Sequence, residues 1–411
     1  MTAAAPAQHV IVIHRWRDGG TLYEPFLDHL LVDVSYIVPP AAAASVPHAA
    51  AAVEVVRRTD DLAALATAAA RLRQRFGPPS RIVALAAADL DAAAELRVLL
   101  GCAGETPTSQ PLLRDRHAML SAVAAAGIEV PRFAVVSQGS DVFRLLAEQP
   151  GPVVLTPRFG SADDLVIRTP AEVERLGGRL DEPMLARVIE ATARYAVDGV
   201  WDGGRLLSWR AARYLGPEAG DPFGPVSWRA AVELDGTAGA AEPAQLAEFA
   251  TAVLAVLVPR PAVVHLEAFG QAGADGQPRL SLGWVSTGLT GAELPLLWRE
   301  VHGIDLAAAA IASQLGQPLP ELPPLSVAGP EPVGGWLRVF PPVPPPCLVE
   351  AVDFRPGEPA PYAAVLPRVG ERLPAGEPVA ASMRFRGASS AAVTRAIRAA
   401  VAGLRLRCTP L

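Results

Sequence analysis

The chain of 411 residues contains no lysine and no asparagine, so all 36 of its basic residues are arginine. Any cationic contact must therefore come from a guanidinium group, which is planar and presents its donors differently from a compact ammonium group. The absence of asparagine removes one of the side-chain carboxamides that serve as oxygen ligands for Mg²⁺ or Ca²⁺. High-GC codon usage would produce the same bias, but it does not replace the chemistry of the missing residues.

Cysteine is also scarce, and long apolar runs are missing. Cys102, Cys347 and Cys408 are far apart and form no C-x-x-C motif, which argues against a zinc site and a disulfide framework and favours a reducing cytoplasm. No run approaches the ~20 apolar residues of a membrane span, so we expect no membrane association. The first residues lack the basic and apolar segments of a signal peptide.

The net charge of −6 is mildly acidic, and no arginine cluster dominates one segment. This balance argues against nucleic acid as a partner. It leaves small molecules and other proteins as the expected classes of ligand, and it does not indicate the oligomeric state.

The first hundred residues alternate between strand-like and helix-like patterns. His9–His14 is a short apolar run, Tyr23–Leu31 has a helical pattern, and Val32–Val38 again resembles a strand. Leucine and alanine then recur at helical spacing until Gly77-Pro78. This alternation predicts a small parallel sheet of Rossmann-like form. No G-x-G-x-x-G motif follows the first strand, so a dinucleotide is not implied.

The middle of the chain predicts a helix over 112–126 and two hairpins. One hairpin turns at Asp202-Gly203-Gly204, and the other turns at Asp275-Gly276. Residues 316–346 are rich in proline, which favours extended polyproline geometry and predicts a connection. Short strands and a closing helix, Ser389–Leu404, are expected after it.

Four stretches in the same order resemble ATP-grasp carboxylate–amine ligases, the superfamily that includes biotin carboxylase and dipeptide synthetases. They are LLRDRHAMLSAVAAAGIEVPRF at 112–133, GPVVLTPRFG at 151–160, ARYAVDGVWDGGRLL at 193–207 and the segment that begins VVHLEAFG at 263. The resemblance implies an α/β protein of ATP-grasp architecture. We assign residues 1–110 to a Rossmann-like pre-ATP-grasp domain, 111–315 to two ATP-grasp α+β subdomains, 316–346 to a Pro-rich connection and 347–411 to a β-rich C-terminal piece.

The resemblance also places the family's phosphate-binding lysines on this sequence. One falls on Thr156, which cannot neutralise a phosphate, and the other falls on Arg116. Arg116 is either a phosphate contact or a surface helix arginine paired with Asp115 or a nearby glutamate, and Arg158 is a further candidate phosphate contact. The loop that follows is expected to be a solvated turn, because it carries Asp163 and Asp164 in place of most of the family's glycines.

Adenine and ribose contacts in the family come from a hinge strand with glutamates. In this chain Arg187 and Arg194 fall on those positions, and Glu190 is close enough in sequence to take one role. The resemblance therefore implies Arg116, Thr156, Arg158 and Glu190 as the nucleotide-binding positions.

The metal site of the family uses a hairpin, and its first magnesium carboxylate falls on Glu267. His265 and Glu267 share one strand face by the period of two. The second carboxylate and an asparagine are expected on the partner strand, but no acidic residue lies between Asp275 and Glu293. Glu267 is therefore the single candidate ligand for Mg²⁺, or else a polar residue that faces an open groove.

Two functions follow as hypotheses. The first is a pseudoenzyme or accessory subunit with a degraded ATP and magnesium site, working beside an active ATP-grasp partner protein. The second is a divergent ligase that uses ATP and Mg²⁺ to activate a small carboxylate as an acyl phosphate and join it to an amine. The missing lysine, acid and asparagine favour the first.

Overall fold

The computed structural model describes residues 9–17, 23–148, 151–159, 164–176, 180, 182–216, 227–235, 241–273, 278–291, 293–322, 332–374 and 379–411. The helices are α1 (Leu62–Phe76), α2 (Leu90–Leu100), α3 (Pro111–Arg114), α4 (Arg116–Ala125), α5 (Gly139–Glu148), α6 (Pro170–Glu174), α7 (Ala241–Leu257), α8 (Glu293–His302), α9 (Leu306–Leu315) and α10 (Ser390–Gly403).

The strands form four sheets. Their bounds are β1 (His9–Ile13), β2 (Asp33–Val38), β3 (Ala52–Val55), β4 (Arg81–Ala84), β5 (Arg132–Val136), β6 (Val153–Pro157), β7 (Leu165–Ile167), β8 (Met184–Val188), β9 (Ala193–Trp201), β10 (Leu206–Leu215), β11 (Trp228–Glu233), β12 (Ala262–Ala272), β13 (Pro278–Ser286), β14 (Val333–Val339), β15 (Cys347–Phe354), β16 (Ala363–Val365), β17 (Arg372–Leu373), β18 (Ala381–Gly387) and β19 (Leu404–Pro410).

The first sheet is parallel, in the order β3-β2-β1-β4, as the alternating pattern predicts. Asp61 caps the start of helix α1, where its side chain accepts a hydrogen bond from the Ala64 amide, and Gly77 caps its end with a positive φ of 83°. The predicted helix Tyr23–Leu31 is wrong, since this segment forms turns. The Asp28 carboxylate accepts from the amides of Leu30 and Leu31, and this local bond competes with a helix.

The helix predicted over 112–126 is split at Asp115. Its extended backbone ends α3, and its side chain accepts from the amides of His117 and Ala118 at the start of α4. This cap directs Arg116 toward the end of β6, because Arg116 is the first residue of α4 and its amide donates to the Arg158 carbonyl.

A second, antiparallel sheet has the order β5-β8-β6-β7, and a larger sheet has the order β13-β12-β9-β10-β11-β14-β18-β16. Both predicted hairpins are present as the strand pairs β9–β10 and β12–β13. The second predicted turn, at Asp275-Gly276, lies outside the described residues. The small sheet β17-β15-β19 and the helix α10 complete the C-terminal part.

The Pro-rich stretch 316–346 is not a continuous connection. Val333–Val339 forms strand β14, which lies inside the largest sheet between β11 and β18. The strand is possible because these seven residues contain no proline, so every backbone N–H is available for the ladder.

The two faces of the largest sheet differ in character. On one face Val197, Val264 and Leu266 pack against Leu254 of α7 in a buried apolar cluster. Since side chains alternate along a strand, His265 and Glu267 point to the other face, which carries the candidate site. No helix in the described part of the chain is long and apolar enough to cross a membrane.

Candidate functional site

Glu267, the sequence-predicted metal ligand, is buried, and both of its carboxylate oxygens accept from protein donors. Arg194 forms an ion pair with Oε2, and the Tyr214 hydroxyl donates to Oε1 at 2.9 Å. His265 Nε2 donates to the same Oε1 at 3.5 Å. Arg194 reaches this carboxylate because it is opposite Phe269 in the β9–β12 register, one side-chain step along the same face.

His265 connects Glu267 to a second acid. Its Nδ1 donates to Asp198 Oδ1 at 2.7 Å, and Asp198 lies directly opposite in the β9–β12 register. Burial disfavours the imidazolium ion, but the charge and hydrogen bond of Asp198, together with those of Glu267, raise the pKa of His265 to about 10. His265 is therefore positively charged at neutral pH.

These side chains form a buried row of alternating charge: Asp198, His265, Glu267 and Arg194. Burial alone would raise the pKa of Glu267, but Arg194 and then His265 hold it well below its usual range. Two acids face two cations, so the row is electrically balanced without a metal ion. Ion pairs with such low exposure tolerate the loss of a partner poorly.

The position across from Glu267 is occupied by Trp284, which is its register partner on β13. Indole offers no oxygen to a metal, and the next residue on that face, Ser286, is opposite His265. Among the described residues no group of three His, Cys, Asp or Glu side chains could hold a metal ion. The residues present do not fit Mg²⁺, which requires oxygen ligands that are free to coordinate it.

Thr156 is on β6, where the resemblance places a phosphate-binding lysine, and its hydroxyl is already bonded twice. It donates to Asp164 Oδ1 at 2.6 Å and accepts from Arg187 Nη2 at 2.9 Å. Arg187 also donates to the Gly283 carbonyl at 2.9 Å, and burial lowers its pKa. A guanidinium from the hinge strand thus occupies the space beside Thr156. Asp163 lies outside the described residues.

The other predicted nucleotide positions fall in different surroundings. Arg116 donates to the Pro157 carbonyl at 2.6 Å and has its guanidinium 6.0 Å from the Trp284 ring, so it is close to Thr156. Arg158 is held by Asp115 in a two-bond pair at 2.8 and 2.6 Å, which leaves Asp115 unavailable to Arg116.

Glu190 follows β8 and is exposed, with its carboxylate accepting from Gln271 at 3.3 Å. Neither Glu190 nor Arg158 contacts Glu267. The structure therefore brings Arg116 and Thr156 to one side of the candidate site, and it leaves Glu190 at the surface and Arg158 in its own ion pair.

No protein-family model and no curated protein matches this chain. Solved structures of ATP-grasp enzymes do. An L-amino acid ligase from Bacillus licheniformis superposes with a TM-score of 0.72 and 15% identity, covering 98% of this chain and 99% of that one. The chain has an ATP-grasp fold. This confirms the architecture that the four sequence stretches predict.

Two other ATP-grasp structures agree over nearly the full length. The biotin carboxylase domain of a 2-oxoglutarate carboxylase from Hydrogenobacter thermophilus, in complex with MgADP, ADP and bicarbonate, gives a TM-score of 0.66 at 13% identity, with 98% and 92% coverage. An N5-carboxyaminoimidazole synthase from Aspergillus clavatus, in complex with ADP and 5-aminoimidazole ribonucleotide, gives 0.63 at 12% identity, with 97% and 98% coverage.

Sequence reasoning missed several residues of the candidate site. Tyr214 and Asp198 were missed, because their strands contribute to the site through cross-strand register. His302 is the final residue of α8, and its Nε2 atom lies 2.9 Å from the Glu233 carboxylate on β11. Buried polar residues in otherwise apolar strands are the signal that could have identified Asp198 and Glu233.

Proposed function

We propose that this protein is a non-catalytic member of the ATP-grasp fold, acting as a ligand-binding or accessory subunit. The observation that carries the proposal is the pairing of Glu267 with Arg194, opposite Trp284. A metal ion on Glu267 would have to displace a buried guanidinium, and it would find indole where a second acid is needed. Losing one preorganised transition-state contact costs about 10²–10³ in rate, and this chain lacks several.

Binding of ATP to the purified full-length chain, measured by calorimetry with and without Mg²⁺, tests this proposal. We expect no magnesium-dependent binding and no release of ADP or phosphate. The matched variant is Glu267→Gln, which keeps the shape of the side chain but removes its charge. Equal ATP turnover at background level in both proteins supports the proposal, whereas magnesium-dependent turnover that Glu267→Gln abolishes would refute it.

The alternative is an active ATP- and magnesium-dependent ligase that forms an acyl phosphate and joins a carboxylate to an amine. One observation favours it: Arg116 and Arg187 keep positive charge beside Thr156, where the resemblance places a phosphate. Phosphate release that appears only when mixtures of amino acids or other carboxylates and amines are added would establish this function.

The accessory hypothesis also concerns a partner. An intact ATP-grasp protein encoded beside this chain is the partner that we propose, because such a protein would supply the lysine, acid and asparagine that this chain lacks. Co-expression and affinity purification test it: a stable complex supports the partnership, and elution of the two proteins separately at physiological salt argues against it.

A further inference from the structure

Two of the three cysteines lie side by side in the small C-terminal sheet. Cys347 is the first residue of β15 and Cys408 lies on β19, and the antiparallel register pairs Cys347 with Pro410 and Val349 with Cys408. Because side chains alternate along a strand, Cys347 and Cys408 point to the same face of the sheet as diagonal neighbours. Their distance in sequence argues against a pairing, but the strand register brings them together.

The face that carries both thiols is a small apolar cluster. Cys347 is fully buried, Cys408 is 7% exposed, and both pack with Val349, Leu373 and Ala380. The two thiols are close enough to hydrogen bond, and burial followed by the Cys347 thiol raises the pKa of Cys408 to about 11. Both cysteines are free. At neutral pH Cys408 is therefore a protonated thiol beside a second free thiol.

Strand β19 is placed so that it can move toward β15. A disulfide needs its two Cβ atoms about 3.5–4.5 Å apart, which is closer than ordinary diagonal neighbours, so the bond requires a small shift of one strand. Among the described strands β19 pairs with β15 alone, at the edge of the order β17-β15-β19. The register shifts between Val349 and Ala351, which leaves Glu350 as an extra residue beside the pair. An edge strand next to such a bulge opens more readily than a central strand.

We propose that Cys347 and Cys408 form a reversible disulfide that fastens β19 to β15 when the protein reacts with a small-molecule disulfide. The Cys408 thiolate, exposed when β19 opens, attacks one sulfur of the oxidant, forms a mixed disulfide and releases one thiol. The Cys347 thiolate then attacks Cys408 Sγ and releases the second thiol. The two protein thiols lose two electrons in total, the small disulfide gains them, and the two protons pass to the released thiols.

The disulfide acts on more than the two strands that it joins. It closes the chain over residues 347–408, a segment that includes β18 of the largest sheet and the helix α10 packed against it. A cross-link over so long a segment restricts the unfolded state and stabilises the paired strands. Disulfides in reducing compartments are transient and respond to the redox state. The inference is independent of the proposed function, because both cysteines lie in the small sheet and Glu267 lies in the largest one.

Mass spectrometry of the full chain after incubation with glutathione disulfide or dithiothreitol tests the proposal, with Cys102→Ser as the starting protein so that two thiols remain. We expect the oxidised protein to lose two hydrogen atoms without added glutathione, and a non-reduced digest to join the peptides of Cys347 and Cys408. The matched control, Cys347→Ala in the same background, should stop at one glutathione adduct on Cys408. Cys408→Ala, which should also form no disulfide within the chain, covers the case in which the first control does not fold.

Hydrogen exchange measures the effect of the disulfide on the fold. The amides of β19 should exchange at least about tenfold more slowly in the oxidised protein, dithiothreitol should restore the faster rate, and the amides of β1 should be unchanged as the internal control. Two free thiols after oxidation, a lasting glutathione adduct on Cys408, or a disulfide between two chains overturns the pairing. Equal exchange of β19 in both states overturns its fastening. None of these measurements depends on ATP or Mg²⁺, so their failure is distinct from that of the proposed function.

Discussion

Replacing Arg194 by methionine should destabilise the protein, because it removes the main partner of a buried carboxylate. The Arg194 side chain is 14% exposed and that of Glu267 is 11% exposed, so solvent cannot compensate for the lost charge. Breaking a buried pair by removing one partner costs about 3–5 kcal/mol. We expect a value near the lower end, about 3 kcal/mol, because His265 remains beside Glu267 and keeps part of the stabilisation.

Urea unfolding of Arg194→Met at pH 7 measures this cost. The matched control is Arg205→Met, whose arginine is 77% exposed and pairs with Asp202 in the β9–β10 turn. An exposed pair is worth about 0–1 kcal/mol, so this variant should unfold almost like the parent protein. If the two variants lose the same small amount of stability, the buried pair of Arg194 and Glu267 does not stabilise the protein as argued, and the prediction is refuted.

Three more predictions concern the same framework. The pKa of His265 is about 10 in the folded protein, above its unfolded value near 6.5. The charged His265 therefore stabilises the folded protein fully below about pH 6.5, and this stabilisation is lost as the pH rises through 10. The free energy of unfolding in urea should fall over this range, and less steeply in His265→Gln. Asp115→Ala should cost about 1–2 kcal/mol in the same assay, since Asp115 caps α4 and holds Arg158; a loss below that of Arg205→Met would contradict this. Leu254 is a fully buried residue of α7, so Leu254→Ala should lower the free energy of unfolding by about 2–5 kcal/mol. The melting temperature measured by circular dichroism should fall, and an unchanged value would contradict the place of Leu254 in the core.

The polar face of β12 could be predicted because it depends on local pattern alone. The period of two puts His265 and Glu267 on one side, and the run without acids after Asp275 predicts that no carboxylate lies opposite Glu267. The structure agrees on both points, since Trp284 is the register partner of Glu267. Both signals come from a single hairpin, β12–β13.

The partners of those residues could not be predicted in the same way. Arg194 and Asp198 are separated from Glu267 and His265 by more than sixty positions in sequence, and they meet only through the register of β9 with β12. A shift of one residue in this register would turn each side chain to the opposite face of the sheet. The average composition of residues 316–346 does not reveal β14, because its proline-free sequence is a small part of that segment.

Trp284 opposite Glu267 also affects how this chain can change by mutation. Replacing the tryptophan by glutamate would place a second carboxylate beside Glu267 while Arg194 still neutralises the first, so the intermediate protein would carry an unpaired buried charge. Replacing Arg194 first would leave Glu267 short of its main partner before any metal could bind. Each single step toward a two-acid metal site therefore passes through a less stable protein.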